Sequence, residues 1–177
     1  MPNITGFRAS LTNGLARPNQ FRVDLNFPAG LVPDGASAAQ LGQFHVKSSQ
    51  VPASHVSPIP VYYMGRPVNV AGEREFQPFS VQIYNENFLL RDALVRWSNG
   101  FNNISDNSGE LQPKNYQTDI SFVQLDRNGN ELKEWILRDA MPTEVGGIEL
   151  DWEANNQVEV FTCQFVYNYF DESGVTF

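Results

Sequence analysis

The amino-acid sequence predicts a mainly β fold, an antiparallel β-sandwich or distorted β-barrel with one flanking α-helix. Apolar and polar residues alternate over several short segments, of which residues 20–27 are the clearest example. Glycine, proline and asparagine separate these segments at short intervals, which is typical of turns between antiparallel strands. Only residues 86–98 show a sustained helical period. Many strands with one helix favour a core built between sheets.

Further strands are predicted over residues 43–48, 76–83, 118–126, 131–139 and 157–169. Asn128 and Gly129 join two of them and are typical of a two-residue hairpin turn in which both residues have positive φ. The last strand is apolar on both faces, which predicts burial from two sides. We expect one face to carry Phe161, Phe165, Tyr167 and Tyr169, and the other to carry Val158, Val160, Cys163 and Val166.

The predicted helix begins after Asn85, a plausible N-cap, and ends near Gly100. Leu90, Ala93, Leu94 and Trp97 form one apolar stripe along it, which would cover one face or end of a sheet. Residues 28–42 and 101–115 are predicted to be loops. The N-terminal arm, residues 1–19, is compatible with a short helix or a flexible segment, and residues 171–177 form a polar tail.

Length, composition and charge restrict the class of protein. The 177 residues, 41% of them hydrophobic, predict a single domain over residues 1–177 with one core. The net charge of −8 argues against a basic face that grips nucleic acid. The N-terminus lacks both a basic start and an apolar run, so we expect cytoplasmic synthesis and no membrane insertion.

No arrangement of residues in the sequence predicts an active site. His45 and His55 have no acid placed to orient them, and a nucleophile motif is absent. Cys163 is the only cysteine, which excludes an intrachain disulfide and a cysteine-based metal cluster. We therefore expect no catalytic residue, no metal and no cofactor.

The arm formed by residues 47–75 is rich in proline and glycine, and the apolar run 61–64 forms its tip. An apolar surface of this size is rarely left exposed to water, so we expect other protein surface to pack on it. Composition alone favours an arm that folds back on its own core, and the alternative is an arm that docks on a neighbouring subunit.

Three blocks of the sequence resemble the tail tube proteins of T-even-like contractile-tailed phages, in the superfamily that includes type VI secretion tubes. The first runs from Ala16 to Phe21, and the third from Pro142 to Asn156, where it is similar to a closing hairpin. The second follows the order Met-x-Arg, then Asn-Val-Ala-Gly-Glu-Arg-x-Phe, and comprises Met64, Arg66, Asn69, Val70, Ala71, Gly72, Glu73, Arg74 and Phe76.

This resemblance implies a structural subunit of the inner tail tube. Hexameric rings would stack into a hollow conduit for DNA ejection, inside a separate sheath. The implied partners are further copies of the chain, the sheath, the baseplate and tail terminator proteins, and double-stranded DNA in transit. The implied location is the virion tail. Two alternatives stay open, namely the tube of a phage-derived contractile injection or type VI secretion system, and a monomeric β-sandwich binding module.

Two sets of residues are expected to carry the assembly. For stacking between rings we expect Val61, Tyr62, Tyr63, Met64, Gly65, Arg66, Asn69 and Gly72. A channel wall that does not retain DNA should be acidic or neutral, because lysine and arginine bind phosphates. We expect some of six acids to line the channel, and for each of them the alternative is the outer surface that faces the sheath: Glu73, Glu75, Glu149, Asp151, Glu153 and Glu159.

Overall fold

Nine strands and four helices make up the part of the chain that the computed structural model describes, residues 3–11 and 15–173. The helices are α1 Ile4–Ser10, α2 Gly35–His45, α3 Leu89–Phe101 and α4 Pro113–Tyr116. The strands are β1 Phe21–Asp24, β2 Val46–Ser49, β3 Ser54–Tyr63, β4 Arg66–Phe76, β5 Phe79–Tyr84, β6 Thr118–Leu125, β7 Glu131–Val145, β8 Val160–Val166 and β9 Tyr169–Glu172. No helix in these ranges has both the length and the apolarity needed to cross a membrane.

Seven strands form one antiparallel arrangement in the order β1-β6-β7-β8-β5-β2, with β9 also paired to β7. The first part of β7 pairs with β6 and β9, and its last part pairs with β8. Asp139, at φ 55°, lies where the register between β6 and β7 shifts. Such bulges bend a strand, so β7 passes from one sheet to the next. The predicted mainly β, antiparallel fold is confirmed, and the described sheets do not close into a barrel.

The core lies between the sheets and α3. Strands β5, β6, β7 and β8 bury alternate side chains against it, which include Ile83, Phe122, Leu137 and Phe165. The apolar stripe predicted on α3 is buried, and the indole N–H of Trp97 donates to the carbonyl oxygen of Tyr116.

The predicted helix exists but lies three residues later than residues 86–98. Asn85 does not cap it, because α3 begins at Leu89 with Phe88 in the N-cap position. The backbone N–H and side-chain amide of Asn85 donate to Glu159. The side chain of Asn87 instead accepts from the N–H of Leu89. Gly100 lies within the helix, where an added Cβ would be 2.7 Å from a methyl carbon of Leu31. Gly100 is therefore needed for the close contact with Leu31 and does not terminate the helix.

The prediction of a loop over residues 28–42 holds for residues 28–34 and is wrong for residues 35–42, because α2 forms there and packs on β1 and α3. Its buried residues are the small Gly35, Ala38 and Gly42, and an added Cβ at Gly42 would lie 3.3 Å from a methyl carbon of Leu25. Small residues let the helix approach the sheet closely but produce no strong apolar period. The helix also takes up the beginning of the predicted strand 43–48.

The prediction of one last strand over residues 157–169 is also wrong, because two shorter strands form instead. Residues 160–166 form β8, and the chain then breaks before β9. Phe161, Cys163 and Phe165 share the buried face, while the alternate residues are half-buried. The predicted placement of Cys163 on the face of Val160 and Val166 is therefore wrong, as is the predicted burial from two sides. The closing hairpin is absent, since β7 runs on to Val145 and the described residues 146–159 contain no strand.

The terminal arms are described in part. Within residues 1–19 the structure has the short helix α1, capped by Asn3, whose side chain accepts from the N–H of Gly6. Residues 1–2 and 12–14 of this arm lie outside the described residues. Within the predicted tail 171–177, β9 includes Asp171 and Glu172, and residues 174–177 lie outside the described residues.

Candidate functional site

Strands β3 and β4 form a separate two-stranded sheet, an antiparallel hairpin within the predicted arm. Tyr63 pairs with Arg66, so Met64 and Gly65 form a two-residue turn, with φ of 49° and 79°. Positive φ at both central residues is the geometry that joins twisted antiparallel strands with least distortion. Glycine meets this requirement freely, whereas methionine adopts it under strain.

Every side chain between Pro58 and Ala71 is exposed. One face of the hairpin carries Ile59, Val61, Tyr63, Val68 and Val70, together with Arg66. The other face carries Pro58, Pro60, Tyr62, Pro67, Asn69 and Ala71. Tyr62 and Tyr63 are each 71% exposed, and Met64 at the tip is 87% exposed. The hairpin therefore presents apolar surface on both faces.

The hairpin is joined to the rest of the molecule at its base. The ring of Phe76 lies 5.9 Å from that of Tyr167 and 5.7 Å from that of Phe170. The backbone N–H of Gln77 donates to the carbonyl oxygen of Ala53. Beyond the base, no other described helix or strand packs extensively on β3 or β4. Composition favoured an arm that folds back on its own core, and that prediction is wrong.

The predicted stacking residues are divided over the hairpin. Val61, Tyr63 and Arg66 lie on one face, Tyr62 and Asn69 on the other, and Met64 and Gly65 at the tip. The predicted site does not include Ile59, Val68 and Val70, which complete the first face. The signal for them was the alternation of apolar residues through 59, 61 and 63 and through 68 and 70.

Gly72 is not part of either face. It lies at an irregularity in the pairing between Val56 and Pro58 on the opposite strand. An added Cβ at this position would lie 2.4 Å from the carbonyl oxygen of Ser57. Glycine is required here because two backbones approach closely, so its contribution to any interface is through the shape of the hairpin.

Three of the six predicted channel acids line one cleft. Glu149, Asp151 and Glu159 border an open cleft of about 790 Å³, which also contacts Lys47 of β2 and Gln82 of β5. The cleft lies between residues 144–160 and the face of the β2-β5-β8 sheet opposite the core. The middle of this face carries the uncharged polar side chains Ser48, Ser80, Gln82, Thr162 and Gln164, while Tyr84, Val160 and Val166 lie towards its ends. The ammonium of Lys47 lies over the ring of Tyr84, and the side chain of Gln164 donates to Glu144.

The other three predicted acids lie elsewhere. Glu73 and Glu75 belong to β4, where Glu75 pairs across the hairpin with His55. Glu153 is not part of the cleft lining. All six acids are exposed.

The titratable groups that could carry chemistry are dispersed. The imidazole of His45 lies 3.5 Å from a carboxylate oxygen of Glu86, and His55 is on the hairpin. Cys163 is fully buried, and burial raises the pKa of its thiol. Within residues 3–11 and 15–173, no three histidine, cysteine or acidic side chains are grouped as ligands for a metal ion.

Two strand edges are open in the sheet that contains the cleft. Its four strands are β2, β5, β8 and the last part of β7, residues 141–145. Among the described residues, no strand pairs with the outer side of β2 or with the second side of residues 141–145. An unpaired edge is a template for another strand.

Comparison with known proteins identifies the family. The model of the family described as "Phage tail tube protein" matches residues 16–173, which include the hairpin, the cleft and both open edges. The chain belongs to the phage tail tube protein family. The tail tube protein gp19 of Enterobacteria phage T4 is 30% identical to it over 169 residues, covering 93% of this chain and 96% of the relative.

Solved structures show the same fold for this tail tube protein. The sheath/tube terminator of an extracellular contractile injection system in the extended state has a TM-score of 0.63 at 15% identity, covering 92% of this chain and 99% of the other. A chain of the corresponding sheath-tube complex has a TM-score of 0.59 at 13% identity, covering 99% of this chain and all of the other. The relatives in sequence are subunits of contractile phage tails, and this chain is a tail tube subunit of the same kind.

Proposed function

We propose that this tail tube protein forms hexameric rings that stack into a hollow conduit through which DNA leaves the virion. The observation that carries this proposal is hairpin β3–β4, whose apolar faces receive no cover from the described part of the chain. Such a surface is typical of an interface with another protein. The role is mechanical, so we infer no catalytic activity and no cofactor, with synthesis and assembly in the host cytoplasm.

Ring closure would join the two open edges of the four-stranded sheet. The strands β2, β5, β8 and residues 141–145 are consecutively antiparallel, so the two outer edges run in opposite directions. When copies are related by rotation, β2 of one copy meets residues 141–145 of the next in antiparallel orientation. The contact is heterologous and closes into a ring. An even number of strands per copy is what allows this pairing.

The size of the resulting ring supports a conduit for DNA. Six copies of four strands give about 24 strands, and the spacing of about 4.8 Å between neighbours gives a circumference of about 115 Å. The diameter is then about 37 Å, and strand tilt widens it. A barrel of this width leaves an open channel after side chains line its wall.

Stacking of one ring on the next would use the hairpin. The proposed set remains Val61, Tyr62, Tyr63, Met64, Gly65, Arg66, Asn69 and Gly72, to which the exposed Ile59, Val68 and Val70 are added. Burial of these apolar groups would supply the driving force of association. A hairpin that extends from a rigid base reaches further than the body of its own subunit.

The proposed position in the channel has more support for some of the six acids than for others. If the four-stranded sheet forms the ring, its polar face away from the core faces the channel, and Glu149, Asp151 and Glu159 lie beside that face. They would prevent DNA from adhering, and salt would screen the repulsion over about 8–10 Å. Glu153 follows in the same segment. Glu73 and Glu75 belong to β4, so they would face the channel only if the hairpin itself lies along the channel wall.

The proposed partners outside the tube are the sheath, the baseplate and the tail terminator. Sheath-tube and terminator assemblies contain chains of the same fold. Their low identity supports the fold alone, whereas the sequence relatives are phage proteins. A phage tail is therefore favoured over a phage-derived injection or secretion device. We infer that the subunit is not inserted in a membrane.

The test is assembly of the purified full-length protein. We expect rings or tubes in negative-stain microscopy without added metal or cofactor, and a shift to large species in size-exclusion chromatography. A protein that stays monomeric at high concentration, even with a nucleating baseplate, would contradict the proposal and support a monomeric binding module.

Stacking is tested by replacing residues 61–64 with glycine and serine. We expect the subunit to keep its thermal stability and to lose tube formation, because the hairpin packs on nothing in its own core. Leu111→Ser is the matched control, since Leu111 is 89% exposed but lies outside the hairpin. A large loss of subunit stability in the hairpin variant would show that the arm packs on its own domain.

The channel acids are tested by charge reversal in two sets. Glu149→Lys, Asp151→Lys and Glu159→Lys together should leave tubes intact but slow genome ejection, most strongly at low salt. Glu73→Lys with Glu75→Lys is the comparison set on the hairpin. Unchanged ejection in the first set at every salt concentration would remove the electrostatic argument.

A further inference from the structure

Hairpin β3–β4 has two outer edges that differ in hydrogen-bonding capacity because of its prolines. Pro60 pairs with Asn69, Pro58 with Ala71, and Pro67 with Tyr62. Proline has no backbone N–H, so these three pairs cannot be the ones that exchange hydrogen bonds across the hairpin. In an antiparallel pair the two kinds of position alternate. The internal bonds therefore fall at the intervening pairs, such as Val61 with Val68.

It follows that the backbone groups at the proline-containing pairs point outwards. On the β3 edge these positions are Pro58, Pro60 and Tyr62, and only Tyr62 has an N–H to donate. On the β4 edge they are Pro67, Asn69 and Ala71, and both Asn69 and Ala71 have one. Two donors spaced by two residues match the repeat of an added antiparallel strand. Prolines on an edge are a common way of blocking such an addition.

We propose that the β4 edge, from Asn69 to Ala71, binds an extended segment of a second copy of this chain by strand addition, whereas the β3 edge is blocked. This inference rests on the proposed self-assembly. It specifies which edge of the hairpin forms backbone hydrogen bonds with the second copy. A second copy is the occupant because this chain has further strand edges that ring closure does not use: among the described residues β1 pairs only with β6, and β9 only with β7. Both side-chain faces next to the β4 edge are apolar or uncharged over residues 67–71, so an added strand meets no charged group there.

The experiment compares proline with alanine at one outward position on each edge of the full-length protein. Asn69→Pro removes the outward donor, and Asn69→Ala retains it. Tyr62→Pro and Tyr62→Ala are the matched pair on the blocked edge. Tubes are quantified by sedimentation and negative-stain microscopy. Hydrogen exchange at Val61 and Val68 reports whether the hairpin remains formed.

We expect Asn69→Pro to assemble about tenfold less than Asn69→Ala, since each contact loses a hydrogen bond and gains a steric clash. The two variants at Tyr62 should assemble equally. If Asn69→Pro opens the hairpin, Ala71→Pro against Ala71→Ser makes the same comparison. Equal assembly of proline and non-proline variants at Asn69 and Ala71 would overturn the inference.

Two further outcomes separate the hypotheses. If the unaltered protein forms no tubes, the proposed function fails. If the unaltered and Asn69→Pro proteins both form tubes equally, only the edge inference fails. Tubes that form normally from Asn69→Pro but no longer bind the sheath would show that the occupant is another protein, which also overturns the inference.

Discussion

Hairpins β3–β4 and β6–β7 are both long, antiparallel and rich in apolar residues, yet only one of them is covered by its own chain. Hairpin β6–β7 buries Ile120, Phe122, Trp135 and Leu137 in the core. Hairpin β3–β4 buries no apolar residue between Pro58 and Ala71. An isolated two-stranded hairpin is marginally stable in water. We therefore expect β3–β4 to have low local stability in the free subunit and to gain stability on assembly.

The largest difference should appear when an aromatic ring is removed from each hairpin. Phe122 packs near the rings of Phe21, Phe79 and Trp135. Phe122→Ala should lower the free energy of unfolding by about 3–5 kcal/mol. Tyr63→Ala should change it by no more than about 0.5 kcal/mol but weaken tube formation. Denaturant unfolding of the unassembled subunit measures both, and equal losses would show that β3–β4 packs on the core.

The turn glycines provide a smaller, matched comparison. Gly65 and Gly129 have φ of 79° and 82°, and in each case an added Cβ would meet no atom within 4 Å. An alanine at either position would cost about 1–2 kcal/mol of backbone strain. Gly129→Ala should lower the free energy of global unfolding by this amount. Gly65→Ala should leave it unchanged and increase hydrogen exchange only in β3 and β4.

Hydrogen exchange and denaturant unfolding of the two alanine variants decide whether the hairpins belong to separate cooperative units. A fall in global stability for Gly65→Ala as large as that for Gly129→Ala would show that they unfold together.

The strained residue at the tip of β3–β4 gives a test of opposite sign. Met64 has φ 49°, a conformation that asparagine adopts with less strain. Met64→Asn should slow hydrogen exchange across the hairpin by a factor of about 2–5, for a gain of about 0.5–1 kcal/mol. If the methionine side chain also contacts the next ring, tube formation falls while the hairpin becomes more stable. Faster exchange in this variant would contradict the turn geometry.

The smallest effect concerns the turn of β6–β7. The Asp126 carboxylate accepts from the N–H groups of Asn128 and Asn130 and from the Asn130 side chain. These bonds, with that of the Asn130 side chain contributing most, lower the pKa of Asp126. A lowered pKa in the folded state contributes stability above the ordinary value of about 3.9, which is lost as pH falls through the folded-state pKa.

NMR titration should therefore place the Asp126 midpoint below 3.9. Asp126→Asn should remove this part of the acid dependence and leave exchange in β3–β4 unaltered. A midpoint at or above the ordinary value would show that the carboxylate does not hold the turn in solution.

The two turns also show what turn chemistry in the sequence predicts. Asn128-Gly129 correctly predicted the β6–β7 hairpin, but of these two residues only Gly129 has positive φ, and the N–H of Asp126 donates to the carbonyl oxygen of Asn130. The loop is longer than two residues. The two-residue turn instead occurs at Met64-Gly65, where methionine gave no such signal. Register across the whole hairpin overrides the preference of a single residue.

Short-range patterns by themselves determined the mainly β class, the stripe of α3, the apolar arm and the resemblance to tail tube proteins. Only the tertiary structure decided four features: the close packing of α2, the passage of β7 between sheets at Asp139, the exposure of β3–β4, and the meeting of Glu149, Asp151 and Glu159 at one cleft. Alternation along a strand records which side chains share a face. It does not record what covers that face, because the cover comes from segments distant in the chain or from another molecule.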